Sequence, residues 1–217
     1  MTSPNDTPDP IVWVDCEMTG LDLATDALVE VAVVVTDSEL TLVDEGIDVL
    51  IAPPPEALEQ MSELVRDMHT SSGLLEALAT QGLSLAEAGS RVIEYIKARV
   101  PESRRAPLAG NSVGTDRAFL DRDIPALTEH LHYRIIDVSS VKELARRWYP
   151  RVYFNSPSKA GGHRAMADIL ESITELRYYR AALFPQAPGP DTSTARRIAA
   201  QAVIEGRPGF AAGSTET

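Results

Sequence analysis

The chain places two carboxylates at the end of an apolar stretch, in IVWVDCEMTGLD at residues 11–22. Side chains alternate along a β-strand, so Asp15 and Glu17 share one face if the extended conformation persists through Glu17. Two ionised carboxylates at this spacing repel each other, and a divalent cation such as Mg²⁺ or Mn²⁺ removes the repulsion because it prefers carboxylate oxygens. Taken alone, the pair favours a simpler interpretation, in which both acids mark a strand end in water.

Three further residues can contribute to the same chemistry. Asp116 ends the AGNSVGTD stretch at a predicted strand-to-helix junction, and Asp168 belongs to the last long predicted helix. Acids at both places are also typical of ordinary helices. His163 precedes Asp168 by five residues, which corresponds to about 140° around a helix. We therefore expect His163 in the loop or first turn, where it acts as a general base near neutral pH or simply begins the helix.

The charge balance limits the class of ligand. The 217 residues carry a formal net charge of −12, whereas proteins that hold long nucleic acids through many phosphates present broad basic surfaces. Much of the positive charge is local, at Arg134, Lys142, Arg146, Arg147 and Arg151. This segment indicates a small anionic ligand, or one whose phosphates meet metal ions. A solvated helix face explains the segment equally well.

Apolar runs and cysteine content bear on the compartment. No apolar run approaches the ~20 residues of a membrane span, and residues 1–10 are polar and Pro-rich, unlike a secretory signal. Cys16 is the only cysteine, which excludes an internal disulfide and fits a reducing compartment. We expect a cytoplasmic protein that does not bind membranes.

Hydrophobic periodicity predicts three meandering strands followed by strand–helix units. The predicted strands cover residues 11–15, 28–36, 47–52, 107–110 and 134–138. A short helix is predicted from Glu56, and longer helices at 84–100, 114–122, 139–149 and 163–183, with a loop over 151–162. Ser84 and Glu87 form a predicted capping box. This order predicts an α/β fold, a mixed five-stranded sheet flanked by helices.

The ends of the chain differ in composition from its middle. Residues 1–10 are predicted to be a disordered leader and residues 11–184 a single domain. Residues 185–217 are rich in Pro, Gly, Ala, Ser and Thr and are predicted to form a mobile tail, with a transient helix over 194–206.

Together, the motifs resemble those of the DEDDh exonucleases, the histidine-bearing branch of a ribonuclease H-like superfamily. DCE, NSVGTD and H-x4-D correspond to its three exonuclease motifs. Within this branch the resemblance is to oligoribonucleases, through VDCEMTGLD, MHTSSGL, GNSVGTDRAFL, HYRIIDVSSVKELARRWYP and HRAMADILESITELRYYR. The similarity covers about residues 11–182. The HYRIIDVSSVKELARRW segment is especially specific, because generic proofreading exonucleases do not share it.

The resemblance implies a ribonuclease H-like fold and a 3′-to-5′ exoribonuclease. Such an enzyme degrades very short RNA, chiefly dinucleotides, to 5′-mononucleotides. By the same resemblance, Asp15, Glu17, Asp116 and Asp168 bind two divalent cations, Mg²⁺ or Mn²⁺. His163 is then the catalytic base that deprotonates the attacking water.

Substrate contacts follow from the same resemblance. Leu21 corresponds to a leucine that wedges against a base, and His69 to a residue that lines the base pocket. Ser112, Arg134 and Ser139 correspond to a group that caps the 5′ phosphate, and an arginine with two hydroxyls suits a terminal phosphate. Loop packing for Leu21 and helix capping for the serines are the simpler alternatives.

Relatives of this kind are homodimers, and Tyr133 is expected to approach the partner's site. The chain departs from the pattern twice. Leu64 is the nearest candidate where relatives often have a base-stacking tryptophan, so stacking there should be weaker. Ala167 precedes Asp168 where many relatives have a second acid, but the spacing from His163 still identifies Asp168 as the ligand.

Two other functions fit parts of the pattern. One is a DNA exonuclease of the proofreading type, which uses the same metal-binding motifs. The other is a nucleic-acid-binding module that keeps the fold without catalysis. The presence of four acids and a histidine argues against the second.

Overall fold

The computed structural model describes residues 9–158 and 164–205. Within these ranges the strands are β1 Ile11–Met18, β2 Leu28–Thr36, β3 Ile47–Leu50, β4 Pro107–Gly110 and β5 His132–Asp137. The first helices are α1 Pro55–Glu59, α2 Glu63–Ser71, α3 Leu74–Gln81, α4 Leu85–Arg99 and α5 Gly114–Asp123. The remaining helices are α6 Pro125–His130, α7 Val138–Trp148, α8 Pro150–Phe154, α9 Ala165–Leu183 and α10 Thr192–Glu205.

The five strands form one mixed sheet in the order β3-β2-β1-β4-β5. β1 pairs antiparallel with β2, and β2 pairs antiparallel with β3. β4 is parallel to both β1 and β5. The predicted meander, mixed sheet and α/β class are confirmed, and the fold is ribonuclease H-like. The carboxyl ends of β1, β4 and β5 therefore lie side by side at one edge.

Strand parity divides the core between the two faces of the sheet. The even-numbered residues of β1, such as Val12 and Val14, pack in a cluster with α4, α5 and α6. The odd-numbered Ile11 and Trp13 pack in a second cluster with residues of α7 and α9. Both faces are covered, which explains why β2 is buried along its whole length.

Gly110 marks the closest approach between β4 and β1. A Cβ at this position would lie 2.8 Å from the backbone oxygen of Val14. Glycine is therefore needed where β4 ends, and the residues that follow it stay close to the end of β1.

Local sequence signals explain the start of α4 and the buried side of α9. Ser84 and Glu87 form the predicted capping box at the start of α4. In α9, the sequence pattern places Ile169, Leu170 and Ile173 on one apolar side, and Ile169 and Ile173 are buried. Leu170 is not, since 41 % of it is exposed. The buried stripe instead continues through Ser172 and Tyr179.

The predicted loop over 151–162 is wrong in its first part, because residues 150–154 form α8. Pro150 follows the end of α7 and occupies the first turn of α8, where its missing N–H costs nothing. Val152 and Tyr153 pack against the second core cluster, and this tertiary contact favours the helix. Residues 159–162 lie outside the described residues.

The sequence patterns did not predict α2, α3 and α6, which are six to nine residues long and bury only one or two side chains each. Short helices have weak periodicity, and their stability comes from packing. Residues 192–205 form α10, in the segment where a transient helix was predicted. The division into leader, domain and tail stays a prediction. Among the residues that the structure describes, no helix has the length and apolar character of a membrane span.

Candidate active site

β1 directs two acids towards α9. The strand continues to Met18, so Asp15 and Glu17 keep the extended conformation, opposite Ala32 and Glu30 of β2. Both continue the odd-numbered face that carries Ile11 and Trp13 beneath α9. Cys16 belongs to the opposite core cluster. The apolar part of the strand therefore fixes the direction in which the acids point.

The first turn of α9 supplies the third acid. Asp15, Glu17 and Asp168 each offer a carboxylate oxygen, and the three oxygens lie within 4.8 Å of one another. Glu17 is buried, while the other two are half-buried. Residues separated by about 150 positions in the sequence thus meet at one point, with the geometry and donor chemistry that suit a hard divalent cation.

Asp116 lies beside this cluster, in the first turn of α5. Its Oδ1 accepts a hydrogen bond of 3.0 Å from the backbone N–H of Cys16, between the two acids of β1. The ladder between β1 and β4 pairs only Val12 and Trp13 of β1, so it does not extend to Cys16. Asp116 is 7 % exposed. The four predicted acids therefore lie around the end of one strand.

Burial disfavours ionisation of Glu17 and Asp116, and nearby carboxylates add to this effect. Burial raises the pKa of Glu17 to about 7, with further contributions from the negative charges of Glu30, Asp168 and Asp116. Burial also raises the pKa of Asp116 to about 6. Carboxylates whose ionised form is destabilised in this way become stable anions when a cation neutralises them. The carboxylate cluster therefore suits a divalent metal ion.

A buried ion pair that the sequence analysis missed fixes the start of α9. Glu30 is fully buried opposite Glu17, and its Oε1 accepts a hydrogen bond of 2.8 Å from Nε of Arg164. Its Oε2 accepts a 3.2 Å bond from the backbone N–H of Ala165. Asp48 of β3 lies 3.7 Å from the same guanidinium. A lone carboxylate inside the apolar LVEVAVVVT segment was the available signal.

A second polar cluster follows the neighbouring strands, where β4 and β5 end. The hydroxyl oxygens of Ser112 and Ser139 are 3.0 Å apart. The carboxylate of Asp137 accepts backbone hydrogen bonds from Ser112 at 3.0 Å and from Ser139 at 2.9 Å. Ser112 has φ of 53°, a left-handed conformation that non-glycine residues rarely adopt. The structure thus brings the two predicted cap serines together.

Arg134 and Tyr133 lie in β5, at the edge of the sheet. The Arg134 guanidinium is 5.5 Å from the centroid of the Tyr133 ring, and 71 % of Tyr133 is exposed. The backbone oxygen of Tyr133 accepts a hydrogen bond of 3.0 Å from Arg117. Both side chains are therefore available at the surface of the described chain.

The residues predicted to contact bases have different environments. Leu21 and Leu64 are 75 % and 80 % exposed, which suits contact with a ligand. His69 is fully buried, with Nε2 2.8 Å from the backbone oxygen of Met18 and Nδ1 3.9 Å from Oε2 of Glu17. His69 therefore lies directly behind the carboxylate of Glu17 in this structure. The predicted catalytic base, His163, lies outside the described residues.

Comparison with known proteins identifies the family. The model of an exonuclease family, RNase_T, matches residues 12–176. An oligoribonuclease of Streptomyces avermitilis is 64% identical over 196 residues, which are 90% of this chain and 98% of the relative. One of Mycobacterium sp. strain KMS is 52% identical over 209 residues, 96% of each chain.

The chain belongs to the oligoribonuclease family. As a member, it is a nuclease that cleaves phosphodiester bonds, a 3′-to-5′ exoribonuclease of short RNA. The predicted family and enzyme class are confirmed. The roles of individual residues stay predictions.

Solved structures share the fold of this oligoribonuclease family member at low sequence identity. Exonuclease I of Methylocaldum szegediense has a TM-score of 0.58 at 20% identity and covers 80% of this chain. A zinc-bound E. coli exonuclease I complex with single-stranded DNA has a TM-score of 0.60 at 18% identity and covers 81%. The chain spans only 41% of either exonuclease I. These matches support the fold alone.

Proposed function

We propose that this protein removes 5′-mononucleotides from the 3′ end of RNAs of about two to five nucleotides, chiefly dinucleotides, using two bound Mg²⁺ or Mn²⁺ ions. The observation that carries the proposal is the convergence of Asp15, Glu17 and Asp168 within 4.8 Å, with Asp116 beside them. The net charge of −12 fits a substrate with few phosphates.

Asp15, Glu17, Asp116 and Asp168 would hold the metal ions. When bound, the pair of ions would stabilise the charges on the attacking and leaving oxygens of an in-line displacement. His163 would accept the proton of the attacking water, because an imidazole changes its charge near neutral pH. A carboxylate cluster that disfavours its own ionisation, as the raised pKa of Glu17 indicates, supports this use of metal.

The substrate would lie between residues that contact its bases and residues that bind its 5′ phosphate. Leu21, which is 75 % exposed, would wedge against a base, and His69 would line the base pocket from behind Glu17. Ser112, Ser139 and Arg134 would bind the 5′ phosphate. A guanidinium and hydroxyls suit a terminal phosphate, and a closed end explains a preference for very short RNA.

The protein would act as a homodimer in the cytoplasm, with Tyr133 approaching the partner's site. β5 is an edge strand, and exposed apolar side chains follow it into α7 and α8. Ile135, Leu144, Trp148 and Phe154 are 41 %, 42 %, 65 % and 79 % exposed. A patch of this kind supports an interface with a second copy. The single cysteine supports a reducing compartment.

A substrate panel tests the activity. Labelled RNA and DNA of about two, five and twenty nucleotides are incubated with Mn²⁺, and in parallel with EDTA. We expect RNA dinucleotides to be cleaved fastest and EDTA to abolish turnover. Fastest degradation of the long DNA would instead favour a proofreading-type exonuclease.

Variants test the assigned roles. Asp15→Asn and His163→Ala should each lower kcat about 100-fold or more, since several kcal/mol of transition-state stabilisation are lost. Asp121→Asn is the control, because its side chain lies on the exposed face of α5 at 52 % accessibility. Unchanged dinucleotide turnover by Asp15→Asn would contradict the metal assignment.

A further inference from the structure

A continuous chain of hydrogen bonds joins the two serines of the proposed phosphate cap to α9. Ser139 donates to Oδ1 of Asn111 at 3.1 Å, and Nδ2 of Asn111 donates to Oγ of Ser172 at 2.8 Å. Ser172 donates to the backbone oxygen of Asp168 at 2.8 Å. The chain therefore runs from the end of β5 to the backbone of a proposed metal ligand.

The environment of Asn111 allows only one orientation of its amide. Nδ2 also lies 3.2 Å from Oε2 of Glu175, a carboxylate in a residue that is 3 % exposed. A flipped amide would place its oxygen against this carboxylate and against Ser172, whose proton is already donated to Asp168. Oδ1 must therefore face Ser139.

Two partners of the Glu175 carboxylate hold this orientation in place. Lys142 lies 3.1 Å from Oε1 of Glu175, and the Tyr179 hydroxyl donates to the same oxygen at 3.3 Å. The carboxylate is thus compensated in the core, and it keeps an acceptor aimed at Asn111. With Ser139 fixed by Asn111, the Ser112 hydroxyl 3.0 Å away also has a fixed partner.

We propose that Asn111 is a positioning residue that sets the distance between the 5′-phosphate cap and the metal-binding carboxylate of Asp168. This inference rests on the proposed function and extends it to length selectivity. A 5′-phosphorylated dinucleotide is the substrate that must occupy the cap and the cleavage site together. Cleavage of this substrate therefore depends on the distance between the cap and the cleavage site. A 5′-hydroxyl dinucleotide or a longer RNA does not have to match that distance.

The experiment compares three RNA substrates with the full chain and Mn²⁺: a 5′-phosphorylated dinucleotide, the same dinucleotide with a 5′ hydroxyl, and a 5′-phosphorylated pentanucleotide. Asn111→Ala should lower kcat/KM for the first about tenfold, the equivalent of one charged-group hydrogen bond. It should change the other two less than about twofold. An equal loss on all three substrates would overturn the proposal, because it would indicate a general structural role.

A double-mutant cycle with Ser139→Ala tests the route. If Asn111 acts through Ser139, the double variant should lose no more kcat/KM for the 5′-phosphorylated dinucleotide than the more impaired single variant does. Additive losses would overturn the proposal. Ser172→Ala interrupts the same chain one step later and provides a second variant should Asn111→Ala fail to fold. Ser172→Ala should also lower kcat/KM selectively for the 5′-phosphorylated dinucleotide, but by less than Asn111→Ala does. An equal loss on all three substrates would count against the proposal.

Thr174→Ala is the matched control for Ser172→Ala. Thr174 also donates to the backbone oxygen four residues earlier in α9, Leu170 at 2.8 Å, but it is exposed and outside the hydrogen-bond chain. It should behave as the unmodified protein does. If the unmodified protein cleaves none of the three RNAs, the proposed function itself fails. If it cleaves them without preferring the phosphorylated dinucleotide, only the cap and this inference fail.

Discussion

The chemistry at the scale of single residues depends on carboxylates that the fold keeps from ionising easily. Glu17 has its pKa raised to about 7 and Asp116 to about 6, in both cases chiefly by burial. An arrangement of this kind is costly for the metal-free protein. It becomes favourable when a cation binds, because the cation stabilises the ionised form of each ligand.

This coupling predicts how stability depends on pH. Raised pKa values mean that the folded state binds more protons than the unfolded state between the ordinary values, 4.5 for Glu17 and 3.8 for Asp116, and the raised ones. The contribution of these groups to the free energy of unfolding is therefore fully present below about pH 4 and is lost as pH rises to about 7. Mn²⁺ should raise Tm more at about pH 7.5 than at about pH 5.

The measurement is thermal unfolding with EDTA and with Mn²⁺ at both pH values. Glu17→Gln should reduce the difference between the Tm increases that Mn²⁺ causes at the two pH values. In a protein of this size, a change of 1 kcal/mol in the free energy of unfolding shifts Tm by about 3 °C. Glu94→Gln, on the exposed side of α4, is the control. An equal Mn²⁺ shift at both pH values would show that the carboxylates are not the linked groups.

At the scale of elements, the site depends on the placement of α9 against β1 and β2. The Glu30 carboxylate binds both the Arg164 side chain and the first backbone N–H of α9. Glu30 is opposite Glu17, so one cross-strand pair connects the acids of β1 with the helix that carries Asp168. Arg164 therefore contributes to the fold immediately beside the site.

Arg164→Ala should lower the free energy of unfolding by about 3 kcal/mol, because it leaves the fully buried Glu30 without its compensating charge. Urea unfolding measures this loss. Arg180→Ala is the matched control: Arg180 on the same helix pairs with Glu39 at 2.6 Å, with side chains 40% and 68% exposed. Its loss should stay below about 1 kcal/mol. Equal losses for both variants would contradict a special role for the buried pair.

At the scale of the whole molecule, the polar site and the exposed apolar patch lie on neighbouring elements. β5 carries Tyr133 and Arg134 and is followed at once by α7, which carries Trp148. A second copy bound at this edge would cover apolar surface and bring its own Tyr133 near the cap. This arrangement would couple assembly to substrate binding.

Trp148→Glu should shift the protein from dimer to monomer, since a charge replaces a 65 % exposed aromatic at the proposed interface. Sedimentation velocity gives the distribution of species. Val203→Glu, at a 63 % exposed position on α10, is the control and should leave the distribution unchanged. A Trp148→Glu protein that sediments as the unmodified protein would refute this interface.

The sequence by itself determined the succession of strands along the chain, the α/β class and the family. Strand alternation and the capping box are local signals that predicted elements, and the resemblance of the motifs to those of exonucleases identified Asp15, Glu17, Asp116 and Asp168 as a set. Short helices such as α6 and α8 escaped prediction, because tertiary packing stabilises them more than their own residues do.

Only the tertiary structure decided which side chains meet. Strand parity placed Asp15 and Glu17 beneath α9, and the position of α9 brought Asp168 within 4.8 Å of them. The Glu30–Arg164 pair and the hydrogen bonds from Asn111 to Ser172 and Glu175 join residues more than 60 positions apart. Neither has a local signature, because a side chain's partners across a core depend on packing and not on its sequence neighbours.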